Sequence, residues 1–136
     1  MAETTLAPNM RWWGWGEDAH ALALPAHALR YLSSELGFPL RVSPPVALAS
    51  VRVPASSLDD GALASLRAIV GERGLRVERG ERILRAAGKG YPDLVRLRAG
   101  EPEGAPDAVA LPRSHEELRE LLGLCAERSI PVVPFG

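Results

Sequence analysis

Cysteine is almost missing from this sequence: Cys125 is the only one in 136 residues. That excludes an internal disulfide framework and fits a reducing compartment, so the cytoplasm is the expected location. Charge of one sign is lacking too. The formal net charge is −1, which leaves no basic field for nucleic acid or an anionic membrane surface. Long hydrophobic runs are absent, and none approaches the ~20 residues needed to cross a bilayer. The opening Met1 to Thr5 has neither the basic nor the apolar region of a signal peptide. No nucleic-acid partner and no membrane span are therefore expected. The length suits one modest domain.

The usual chemical motifs are missing as well. His20, His27 and His115 are scattered, with no HExxH or HxH spacing to hold a metal. There is no CxxC, no GxSxG elbow and no complete Walker loop. The acidic pairs Glu17-Asp18, Asp59-Asp60 and Glu116-Glu117 stand at helix starts, where the helix dipole favours negative charge. No catalytic residue and no metal ligand is nominated.

What is present is concentrated between Pro106 and Gly136. Asp107 to Leu111 is a short apolar run closed by Pro112. Ser114 and Glu117 form a capping box. Leu118, Leu121, Leu122 and Cys125 then follow at i, i+3, i+4 and i+7, one apolar helical stripe that makes Cys125 a buried structural thiol rather than a nucleophile. Ile130 to Val133 is a second apolar run, too short for a helix and rich in β-branched residues. Strand, helix and strand in this order predict a parallel βαβ unit with a right-handed crossover. Ligands in such units sit beyond the carboxyl ends of the strands, which directs attention to Pro134, Phe135 and Gly136. Glycine turns after strands can aim backbone N–H groups at a phosphate.

The preceding hundred residues read as helical. Pro25 opens a helix to about Leu36 with Leu29, Leu32 and Leu36 on one face and Gly37 as its cap. Pro39 to Pro54 holds four prolines and reads as loop. Ser57-Leu-Asp-Asp60 offers another helix start, with Leu63, Leu66, Ile69 and Val70 as its apolar face and Gly71 or Gly74 ending it. Leu75 to Glu78 is a short extended link, Glu81 to Ala87 a short helix stopped by Gly88, and Tyr91-Pro92 opens another segment, Asp93 to Ala99. The arginines from Arg73 to Arg98 alternate with glutamate and leucine, as on a solvated helical face. Gly100 to Gly104 is a linker. All three tryptophans lie in Arg11-Trp12-Trp13-Gly14-Trp15-Gly16. The expected role is a turn that clamps the N-terminal arm onto a domain surface by burying indoles. The alternatives are a stacking platform for a ligand, or a non-catalytic module docking a partner through Trp12, Trp13 and Trp15.

Pro106-Asp107, Val109, Pro112, Ser114, Glu116-Glu117-Leu118, Pro131 to Pro134 and Gly136 together resemble the start of the FAD-binding domain of the vanillyl-alcohol-oxidase/p-cresol-methylhydroxylase type. In that family a strand of this kind opens a Gly-Gly-Gly-Thr-Ser loop around the FAD pyrophosphate, and Gly136 matches its first glycine. Arg11 to Gly16, Arg82 to Arg85, Gly88 and Tyr91 to Arg98 are similar to the corresponding stretches of the alkyldihydroxyacetonephosphate synthase branch. The resemblance implies an α/β architecture (an α+β fragment), with a helical arm and linker over residues 1–104 and the start of the flavin domain over 105–136. It also implies FAD as cofactor, with Pro134, Phe135 and Gly136 leading into its site, and a small-molecule or lipid-precursor substrate. The implied chemistry is FAD-assisted exchange of an acyl for an alkyl group on a dihydroxyacetone-phosphate ester. The alternative in the same superfamily is a D-lactate or glycolate dehydrogenase-like oxidase. The expected assembly is a homodimer. The family's catalytic residues match nothing here, so the chain is expected to be an N-terminal portion, inactive alone.

Overall fold

The computed structural model describes residues 10–40 and 43–135. Five α-helices and one two-stranded sheet order these residues: α1 (Ala26–Leu36), α2 (Asp60–Val70), β1 (Leu75–Arg76), α3 (Arg79–Leu84), α4 (Tyr91–Ala99), β2 (Val109–Ala110) and α5 (His115–Glu127). This mixture of helix with a small sheet is the α+β composition expected from the sequence.

Most helix ends follow from single residues. α1 stops where Gly37 turns left-handed (φ 72°) and donates its N–H to the Ser33 carbonyl. The Asp59 carboxylate caps α2 by accepting from the Ala62 N–H at 2.6 Å. At α5 the Ser114 hydroxyl accepts from Glu117 N–H (3.1 Å) while the Glu117 carboxylate reaches back to Arg113 N–H (2.8 Å). Its far end closes as a Schellman turn: Ile130 N–H donates to the Cys125 carbonyl and Ser129 N–H to that of Ala126. Ser129, at φ 54°, occupies the left-handed position usually given to glycine.

Two apolar clusters hold the fold. The first joins Trp12, Val51, Ile83, Leu84, Leu94 and Leu97. The second joins Leu66 and Val70 of α2, Leu75 of β1, and Leu121 and Cys125 of α5, so it bridges residues on both sides of the Gly100–Gly104 linker. Burying a leucine-sized side chain contributes ~1.5–3 kcal/mol, against ~1 kcal/mol net per hydrogen bond. Packing of α5 on α2, rather than the short ladder, therefore fixes β2 beside β1.

The sheet departs from the expected topology. β2 pairs antiparallel with β1, Leu75 opposite Ala110 and Arg76 opposite Val109, so the predicted link at Leu75 is a strand. Ile130 to Val133 forms no strand, and among the described residues no backbone hydrogen bond joins it to β2. Three donors are missing there for a physical reason. The Ile130 N–H is spent on Cys125, and Pro131 and Pro134 have none. Because successive residues of a strand alternate edges, these two prolines blunt both.

Two finer expectations also change. The α5 stripe splits: Leu121 and Cys125 are buried, whereas Leu118 and Leu122 stay substantially exposed. The arginine-rich stretch is not simply a solvated face. Arg82 is buried, as is Glu81, and Arg79 donates to the Val51 carbonyl.

Candidate functional site

Between Ser57–Asp59, the 105–112 segment, α5 and the 130–135 segment runs a groove of about 1380 Å³. Pro134 and Phe135 stand in its wall. Gly136 lies outside the described residues. Phe135 is half exposed, and the Arg85 guanidinium carbon lies 5.9 Å from its ring centroid, within cation–π reach. Arg85 also binds the Glu81 carboxylate at 2.5 Å, so its charge is balanced locally. Sequence reasoning missed Arg85, because a short arginine-rich helix gave no sign of which side chains turn inward.

These residues do not by themselves make an anion cradle. Pro134 has no N–H, Phe135 offers one, and the neighbouring cation is already paired. No chemical step is assigned to the described part of the groove.

The groove floor is set by an internal polar clip. Arg82 donates from Nε to the Pro106 carbonyl at 2.6 Å and from Nη2 to the Pro54 carbonyl at 2.8 Å. Asp107 accepts from the Ser57 hydroxyl at 2.6 Å and the Ser57 N–H at 3.0 Å, with Arg82 Nη2 at 3.9 Å. Burial pushes the Asp107 carboxyl up, but the Ser57 hydrogen bonds and the Arg82 charge outweigh it and hold the group below its ordinary value. The Pro106-Asp107 dipeptide is thus a tie between the 105–112 segment and the arm.

The tryptophan loop is a second clip. Met10 bridges to Glu17, and Arg11 N–H donates to the Gly16 carbonyl at 3.1 Å. Trp12 is buried in the first cluster. Trp13 lies between two guanidinium groups, Arg11 at 4.9 Å and Arg98 at 4.8 Å from its centroid. Trp15 is 62% exposed, yet its indole N–H donates to the Lys89 carbonyl at 2.9 Å. Lys89, the one lysine of the sequence, returns the contact: its ammonium donates to the carbonyls of Arg11 (2.5 Å) and Gly14 (3.0 Å). Burial lowers the Lys89 pKa. The loop is fastened to the protein as a clamp would be, but of the three indoles only Trp12 is buried, while Trp15 stays mostly exposed and is held by its hydrogen bond.

The remaining reactive side chains stay apart. His20 sits 3.5 Å from Glu17, His27 is in α1, and His115 opens α5. Cys125 is buried between α2 and α5, where desolvation raises its thiol pKa. Among the described residues no helix is long and apolar enough to cross a membrane.

Known proteins are similar to this chain in sequence and in fold. The alkyldihydroxyacetonephosphate synthase of Trypanosoma brucei brucei is 26% identical over 149 residues, covering 94% of this chain and 24% of its own length. That of Dictyostelium discoideum is 26% identical over 157 residues, covering 96% of this chain and 26% of its own length. Protein Rv2250A of Mycobacterium tuberculosis (strain ATCC 25618 / H37Rv) is 35% identical over 107 residues, which are 79% of this chain and 72% of that protein. A solved alkyldihydroxyacetonephosphate synthase superposes with a TM-score of 0.77 at 25% identity over 94% of this chain and 27% of its own. The chain belongs to the same family as Protein Rv2250A and is similar over most of its length to alkyldihydroxyacetonephosphate synthases. A second crystal form of such a synthase gives a TM-score of 0.78 at 24% identity, over 94% of this chain and 28% of its own. No family model matches the chain. It spans about a quarter of the synthases it matches.

Proposed function

We propose that this chain is the N-terminal quarter of an FAD-dependent enzyme of the synthase type, acting on a dihydroxyacetone-phosphate ester and exchanging its acyl for an alkyl group. The observation that carries the reading is that sequence and structure each match a synthase over 94% of the chain. In this reading residues 1–104 are a scaffolding arm and residues 105–136 begin the flavin domain. Pro134, Phe135 and Gly136 lead into the pyrophosphate loop. FAD supplies the redox chemistry when bound. This chain supplies position: the Arg82–Asp107–Ser57 clip fixes β2 and the start of α5, and α5 aims the 130–135 segment. A lipid-precursor substrate, a homodimer and a cytoplasmic location complete the proposal.

Two measurements test it. Titrating the isolated chain with FAD should leave flavin fluorescence unchanged, and micromolar binding would contradict the division of labour. The whole protein should consume an acyl-dihydroxyacetone-phosphate with a fatty alcohol. Turnover of 2-hydroxy acids instead would move it to the dehydrogenase-like branch.

A further inference from the structure

We propose that Lys89 is a covalent-modification site: its side-chain amine takes an acyl group from an acyl thioester, and the acylated side chain loosens the tryptophan loop. The nitrogen is held in a way that suits attack. An ammonium carries three N–H bonds. Two are spent on the carbonyls of Arg11 and Gly14, and among the described residues the third meets no acceptor. Loss of that third proton keeps both hydrogen bonds and turns the lone pair to the unpartnered position. Burial favours the same neutral form by lowering the Lys89 pKa. The charged groups around the turn are engaged elsewhere. A carboxylate oxygen of Asp93 would lie 3.2 Å from a Cβ at Gly88 and 3.3 Å from one at Gly90, but it pairs with Arg96 at 3.8 Å and not with Lys89. The Arg11 guanidinium is bound to Asp18 at 2.7 Å. Access is open as well, since Lys89 is only partly buried and its neighbours Gly88 and Gly90 are exposed, with no side chains to shield it.

The step balances with the thioester as its one co-reactant. The nitrogen lone pair attacks the thioester carbonyl, an N–C bond forms as the C–S bond breaks, the sulfur leaves as thiolate, and the nitrogen gives up a proton to solvent. The product is an uncharged amide with one N–H. It can serve the Arg11 carbonyl or the Gly14 carbonyl, but not both. An imine formed with an aldehyde would, while neutral, keep no N–H for either. The loop then rests on what acylation leaves untouched: Trp12 in the first apolar cluster, and the Trp15 indole bond to the Lys89 carbonyl. Partial release of this kind can be read optically, because all three tryptophans and the one lysine of the sequence belong to this single contact.

The test is to expose the full chain to acetyl-coenzyme A at neutral pH and to follow acetylation of the Lys89 peptide by mass spectrometry, folded and in guanidinium chloride. The folded chain should react roughly threefold faster or more, as a desolvated amine does. A folded rate equal to or below the unfolded one overturns the proposal. Acetylation should then raise acrylamide quenching of the tryptophan fluorescence roughly twofold while circular dichroism stays unchanged, since one of two charge-assisted hydrogen bonds is lost. Acetylation without a change in quenching overturns it too, because the loop then does not depend on the amine. Lys89→Arg keeps the charge and the donors but takes no acyl group at this position, so the thioester should leave its quenching as it was. A rise in that variant counts against the proposal. Lys89→Met, lacking both hydrogen bonds, should show the raised quenching with no thioester present. If Lys89→Met loses its helical signal, the acetylated chain with intact circular dichroism carries the comparison in its place. No readout here involves flavin, so the outcome stands apart from the function proposed above.

Discussion

Replacing Arg82 should cost this fold more than replacing any surface arginine. Its guanidinium is buried and donates two hydrogen bonds to backbone carbonyls 52 residues apart in sequence, Pro54 and Pro106, while its charge faces Asp107. A hydrogen bond from a charged donor is worth ~1.5–3 kcal/mol. Pro54 is exposed and Pro106 half-buried, so both carbonyls can recruit water and the lower figure applies to each. The expected loss for Arg82→Ala is therefore about 3 kcal/mol, a large share of the ~5–15 kcal/mol available to a domain. Arg82→Lys keeps the charge but not the two-pronged donor geometry, and should recover roughly half of that. Arg96 is the control: it is paired with Glu103 at 3.0 Å but nearly half exposed, and its removal should cost under ~1 kcal/mol. Urea unfolding followed by circular dichroism measures all three. A loss below ~1 kcal/mol for Arg82→Ala, equal to that of Arg96→Ala, would refute the clip.

Other consequences are as direct. Because the folded Asp107 pKa is depressed, its stabilisation is complete above the unfolded value of ~3.9 and is lost as pH falls through the folded value. Asp107→Asn should flatten the acid limb of a urea-midpoint-against-pH curve, and an unchanged acid limb would contradict the assignment. Ser129→Gly should raise stability by up to ~1 kcal/mol, since Ser129 holds a left-handed backbone (φ 54°) that glycine adopts freely; a loss on urea unfolding would count against it. Trp12→Ala should destabilise by ~3–5 kcal/mol as a core truncation. Trp15→Ala, which gives up an exposed ring and one hydrogen bond, should cost ~1 kcal/mol; equal effects in thermal melts would undo the division of roles within the loop.

Local grammar was legible in the sequence, and long-range pairing was not. Ser114 with Glu117 and Gly37 announced helix ends because a cap involves residues within one turn, and each is found where those residues stand. The α5 period was correct, yet only Leu121 and Cys125 of its stripe are buried. A stripe tells which residues share a face, not which neighbours cover it. The sheet was missed because β1 and β2 are two residues each, too short for alternation to show. The arginines misled for a related reason. Arg82, Arg79 and Arg98 each donate to a backbone carbonyl far away in sequence, and no spacing rule marks such a partner. Pro134 and Phe135 do stand at a groove, but their part in a flavin site is a proposal that no contact among the described residues carries.

The central claim is that this chain builds the entrance to a flavin site. The most direct measurement is to isolate the natural protein that contains it, with whatever polypeptide it is joined to or associated with, and to release and quantify the cofactor after denaturation. About one FAD per copy of this chain is the expected result. A folded preparation, cooperative in its melting and free of flavin, would contradict the account.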